Sequence, residues 1–124
     1  MPNTTLQSYY VVADVGGVLT GTINKRVSVN EFRTMLIELR DIALEKKVHK
    51  LLLNGISVDF NDVTLSERHD IGLAAAEILK GDFRAALVIR KEFINKHGEN
   101  VANNRGATVL VIDSLNEAYE WLMK

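Results

Sequence analysis

Apolar positions along the chain follow two rhythms. Dense runs rich in β-branched and aromatic residues occur at 9–15, 18–23, 50–53, 85–89 and 107–112, and each reads as a strand. Between them, apolar residues recur at helical spacing. The first set is Val29, Phe32, Leu36, Leu39 and Ala43, and the second is Ile71, Ala74, Ala75, Ile78 and Leu79. Phe93, Ile94, Val101 and Ala102 form the third set, and Leu115, Ala118, Tyr119 and Leu122 the fourth. These sets predict helices over 29–46, from Thr64 to about Gly81, over 91–104, and after Ser114.

Local punctuation agrees with this reading. Gly16-Gly17 between the first two strands predicts a tight hairpin, because its turn needs positive φ. Ser28 to Glu31, Thr64 to Glu67 and Ser114 to Glu117 have the spacing of a capping box, with Ser66 an alternative N-cap for the second helix. Val27 and Phe32 stand at the offsets of a hydrophobic staple. Gly81 and Gly106 end the second and third helices. Gly98 falls in the middle of the third and weakens it by about 1 kcal/mol relative to Ala.

The resulting order is ββαβαβαβα. An opening hairpin followed by alternating helices and strands predicts a five-stranded, mostly parallel sheet with four helices and right-handed crossovers. Any site then belongs beyond the carboxyl ends of the parallel strands. The longest such loop, 54–65, carries Asn54, Ser57, Asp59, Asn61 and Asp62, and leads into Thr64, Ser66, Arg68 and His69.

Composition narrows the chemistry. A length of 124 residues suits one domain over 1–124. The absence of cysteine removes disulfides, thiol nucleophiles and Cys-ligated zinc. Fifteen Lys and Arg against sixteen Asp and Glu, net −1, give no reason to expect nucleic acid. Residues 1–6 are polar and uncharged, expected to fray, and lack the basic and apolar regions of a signal peptide. No apolar run approaches the ~20 residues of a membrane span, so a cytoplasmic protein is expected.

Catalytic patterns stop short of completion. Asp14-Val15-Gly16-Gly17-Val18-Leu19-Thr20-Gly21 resembles the nucleophile motif of haloacid-dehalogenase-like phosphatases. Gly16 stands where those enzymes have their second Asp, and Asp113 has no acidic neighbour for Mg²⁺. A hairpin with an exposed Asp14 is the simpler expectation, and a degenerate phosphohydrolase the lesser alternative. Ser66 and His69 share a helical turn, but no G-x-S-x-G elbow surrounds them. The three histidines, His49, His69 and His97, have no i, i+4 spacing, so no metal and no cofactor are expected. The start of the second helix offers free N–H groups beside Ser66, Arg68 and His69, a place for an anion or a lipid headgroup. Asn103-Asn104-Arg105-Gly106 reads as a helix end, or alternatively a binding turn beside a strand. Trp121 is expected in core or dimer packing.

Several pieces together carry a family resemblance. They are the hairpin with Gly21, Ser66-Glu67-Arg68 with Gly72, the run from His97 through Asn103-Asn104-Arg105-Gly106 to Ala107, and the closing Glu117-Ala118-Tyr119-Glu120-Trp121-Leu122. The chain resembles the small bacterial STAS-like (SpoIIAA-like) proteins. That resemblance implies a non-catalytic regulatory or interaction module of the anti-sigma-factor-antagonist type, with a kinase or regulator as partner. It makes Ser66 the nearest equivalent of the phosphorylated serine, although the Asp-Ser-Ser-Gly run of true antagonists is missing. It also implies an alternative, a binder or sensor of a small lipid-like or anionic ligand, and a possible homodimer. The binding or regulatory surface expected on these grounds comprises Asn54, Ser57, Asp59, Thr64, Ser66, Arg68, His69, Asn104 and Arg105.

Overall fold

The computed structural model describes residues 9–124. The expectation for residues 1–6 lies outside them. The elements are β1 (Tyr10–Val15), β2 (Val18–Ile23), α1 (Val29–Lys46), β3 (Lys50–Asn54), α2 (Leu65–Leu79), β4 (Arg84–Val88), α3 (His97–Asn104), β5 (Val109–Ile112) and α4 (Leu115–Leu122), with a 3-10 turn at Lys91–Phe93. The sheet order is β1-β2-β3-β4-β5. The β1–β2 pair is antiparallel, and the remaining pairs are parallel. This is the predicted ββαβαβαβα order.

The hairpin forms as its glycines require. Gly16 and Gly17 take φ of 60° and 86°, and the Gly17 N–H donates to Asp14 Oδ1 at 3.1 Å. Asp14 is exposed and holds the turn.

Alternation along the strands divides the core in two. Leu19, Ile23, Leu51, Leu53 and Ala85 face α1, α2 and α3 together with Phe32, Met35, Leu36 and Leu39. Val18, Leu52, Ala86 and Val88 face α4, where Ala118 and Leu122 are fully buried and Leu115, Tyr119 and Trp121 partly so. This is the period-two pattern of a sheet covered on both sides. Tyr119 Oη and Thr20 Oγ1 lie 3.0 Å apart and pin α4 to β2. Trp121 packs in this smaller core with the Arg84 guanidinium over its ring. Val11 and Val15 on β1 are each 47% exposed.

Two capping boxes form in full. Ser28 and Glu31 exchange both hydrogen bonds at the start of α1, and Thr64 and Glu67 do so at α2. Val27 and Phe32 are buried beside the first, as a staple requires. Thr64 is the N-cap of α2; Ser66 lies inside the helix. The third box is half formed: Ser114 accepts from the Glu117 N–H, with no return bond.

The third helix departs from expectation. Instead of one helix over 91–104, a 3-10 turn ends at Phe93 and α3 begins at His97. Lys96 adopts φ of 67°, a left-handed conformation that interrupts helix. Asn95 Oδ1 then accepts from the His97 N–H at 3.0 Å. Gly98 therefore sits in the first turn of α3, not mid-helix.

The edge strand β5 is sealed by α3. Asn103 makes two hydrogen bonds to the backbone of Val109, at 2.8 and 3.0 Å. Glu99 accepts from the Val111 N–H, and Lys96 Nζ donates to the Val111 carbonyl at 2.6 Å. Three side chains thus occupy the places of a sixth strand.

Candidate functional site

The N-termini of α1, α2 and α3 meet the carboxyl ends of β2, β3 and β4, where the parallel topology directs a site. Beneath α2, between α1, α3 and the sheet, lies a cavity of about 100 Å³. Its walls are chiefly aliphatic and aromatic: Phe32 and Leu36 from α1, Ile71 and Ala75 from α2, Phe60 and Val63 from the loop before α2. Phe60 meets Phe93 edge-on, with ring centroids 6.2 Å apart.

Five charged residues also line it. Four pair among themselves or nearby. Arg26 donates to Asp62 at 2.9 Å and to both Glu67 oxygens at 3.1 and 3.2 Å. Lys96 pairs with Glu99 at 3.3 Å. The capping N–H of Thr64, and then the Arg26 guanidinium, hold the Glu67 carboxyl below its ordinary range. Asp62 and Glu67 hold the Arg26 proton more tightly than usual.

Arg68 is the fifth. It is half-buried, and burial lowers its affinity for its proton. Among the described residues its guanidinium has no ion pair and no side-chain hydrogen bond. A guanidinium remains charged even so, and none of its nitrogens is among the fully buried unpartnered polar atoms, so water still reaches it.

The seam between α2 and α3 is the tightest helix contact. A Cβ on Gly72 would lie 2.5 Å from the Gly98 carbonyl oxygen and 2.9 Å from Val101 Cβ. A Cβ on Gly98 would lie 2.8 Å from the Arg68 carbonyl oxygen. Only glycine permits this approach. One helical turn before Gly72, His69 meets the residue preceding Gly98. His69 Nδ1 and His97 Nε2 are 3.3 Å apart.

The surface expected from sequence divides. Asn54 accepts from the Ile56 N–H at 3.2 Å and closes the end of β3. Asp59 accepts from the Asn61 N–H at 2.9 Å and shapes the loop. Ser57 and Ser66 are exposed, and Thr64 is committed to the cap. Arg68 reaches the cavity, and His69 reaches the seam. Asn104 and Arg105 are exposed at the other end of α3, just before β5 begins, and so lie at the opposite end of the sheet. They therefore do not join the 54–69 surface expected from sequence, because α3 runs from that end of the sheet toward the start of β5.

Residue-level reading missed Phe60 and Val63 as cavity walls and His97 as the partner of His69. A signal for the latter exists in the chain: a histidine three residues before Gly72 and another directly before Gly98. Among the described residues, no helix is long and apolar enough to cross a membrane. Comparison with protein-family models, curated proteins and solved structures finds no match.

Proposed function

We propose that this chain is a non-catalytic binding module of the STAS-like kind, whose ligand is a small amphipathic anion. The observation that carries the reading is Arg68, whose guanidinium has no ion pair among the described residues, on the wall of a cavity whose other charged residues pair and whose remaining walls are chiefly apolar. The apolar walls suit a short hydrocarbon. The volume is below the roughly 150 Å³ of an apolar cavity that takes benzene, so long acyl chains are poor candidates. Arg68 suits a carboxylate or phosphate head, which a guanidinium binds through paired N–H donors.

The test is thermal unfolding of the full chain with butyrate, isovalerate and isobutyl phosphate, each against its uncharged amide or alcohol. The acids should raise the melting temperature more than their neutral analogues. Arg68→Gln should erase that preference, and Ala75→Leu, which fills the cavity, should erase binding altogether. Equal responses to acid and amide, or binding unaffected by Ala75→Leu, would refute the reading.

A second reading has one observation in its favour. Leu65 is 60% exposed on the first turn of α2, beside the exposed Ser66. An apolar side chain next to an accessible hydroxyl suits a protein partner whose docking is controlled by phosphorylation of Ser66. Charge placed there by Ser66→Asp should then abolish partner capture that the unmodified chain supports.

A further inference from the structure

His69 and His97 do not line the cavity, and the binding reading makes no use of them. Two helices nevertheless hold their rings together, with centroids 5.5 Å apart and planes inclined by 34°. We infer that this pair is a two-imidazole clamp for a borderline transition-metal dication, typified by Zn²⁺, across the α2–α3 seam.

Distance is the first support. Two nitrogens each about 2.0–2.1 Å from a tetrahedral zinc stand about 3.3–3.4 Å from each other. His69 Nδ1 and His97 Nε2 are 3.3 Å apart. The two ligand atoms already mark one edge of such a polyhedron. Metal binding would require each ring to reorient from this hydrogen-bonded contact so that both lone pairs point to a common ion.

Rigidity is the second. The backbones beneath the rings are fixed by the contact of Gly72 with Gly98 and of Gly98 with Arg68. The spacing of the two backbones is therefore set before a metal arrives, which leaves only the rings to be ordered.

Ligand type is the third. Among the described residues no third His, Asp or Glu joins the pair. Water or an external donor would take the remaining positions. Imidazole ligation favours Zn²⁺, Ni²⁺ and Cu²⁺ over Mg²⁺ and Ca²⁺, which prefer oxygen. Both rings are half-buried, which leaves room for such a ligand from the solvent side.

The proton balance is simple. In the metal-free pair of neutral rings one facing nitrogen carries the hydrogen and the other accepts it. Metal binding moves that hydrogen to the far nitrogen of its own ring, and both facing lone pairs become donors. No net proton leaves a neutral pair, and each ring that begins charged releases one.

The test adds ZnCl₂, NiCl₂ or MgCl₂ to the full chain and follows the histidine ring resonances and thermal melting. One zinc or nickel ion per chain should move the His69 and His97 resonances, leave His49 unmoved and raise the melting temperature. Magnesium should do neither. His69→Gln and His97→Gln each retain a hydrogen-bonding group at the seam, and circular dichroism checks their folds. Each should lose more than the roughly tenfold in affinity that a supporting residue costs. Unmoved His69 and His97 resonances in the wild-type chain would mean a hydrogen bond only, and would overturn the inference. So would zinc binding that survives in the doubly substituted chain. The wild-type titration needs no variant to fold, and none of these outcomes depends on the cavity.

Discussion

On the side of α1 and the segment before it, ion pairs join the apolar packing in holding α2 and the loop leading to it: Arg26 reaches Glu67 and Asp62, and Arg33 pairs with Glu77. Toward α3, α2 is tied by contact, Gly72 against Gly98 and His69 against His97. The two flanks differ in how they fail. Arg26 is 28% exposed, Asp62 71% and Glu77 65%. Ion pairs this close to solvent stretch at little cost and weaken with salt. Backbone against backbone cannot yield without moving a whole helix. The cavity lies beneath α2, between an adjustable side and a fixed one. On the proposed binding reading, a ligand therefore enters on the α1 side.

The largest effect should come from breaking the fixed flank. Gly72→Ala places a methyl 2.5 Å from the Gly98 carbonyl oxygen. Overpacking of this kind costs typically 1–3 kcal/mol, and the gain in helix propensity recovers about 1 kcal/mol at most. A net loss of about 1–2 kcal/mol in urea unfolding is expected, along with weaker zinc binding. A neutral or stabilising result would show that the α2–α3 contact yields, and would remove the contrast between the flanks.

The adjustable flank should respond less. Arg26→Ala is expected to cost under about 1 kcal/mol, and raising the salt concentration should shrink the difference from wild type further. A larger, salt-independent loss would mean that the guanidinium acts by packing and not by charge.

The smallest effect is pH-dependent. Glu67 has its carboxyl held below the ordinary value of 4.5 by the Thr64 N–H and then by Arg26. Its contribution is fully present above that value and is lost as the pH falls through the lower folded-state value. The stability difference between wild type and Glu67→Gln should therefore be present at neutral pH and fade in acid. A difference that persisted in acid would place the effect in the geometry of the cap, not in its charge.

Local features were legible in the chain, and juxtapositions were not. The boundaries of α1 follow from Ser28, Glu31 and the spacing of Phe32, Leu36 and Leu39, all within a few residues of each other. The break before α3 was hidden because Phe93 and Ile94 fit a helical spacing. What interrupts that helix is the left-handed conformation of Lys96, a residue with no intrinsic preference for it. Ser114 and Glu117 have the spacing of a box, yet only half of it closes. The resemblance singled out Ser66-Glu67-Arg68 and the His97-Gly98 run. Their meeting across 28 residues, from His69 to His97, is a product of packing. The cavity is less legible still, since Phe60, Ile71 and Ala75 each look like ordinary core.

One consequence of the sealed β5 strand concerns assembly. Sheets extend into filaments only when each added chain offers a fresh edge to the next. Here Asn103, Glu99 and Lys96 already satisfy the outward backbone groups of Val109 and Val111. At most one rim of the sheet, that of β1, can accept a neighbouring strand. Growth by strand addition between copies would thus terminate at a closed pair, and the polymeric route is shut by two side chains of one short helix and the lysine that precedes it.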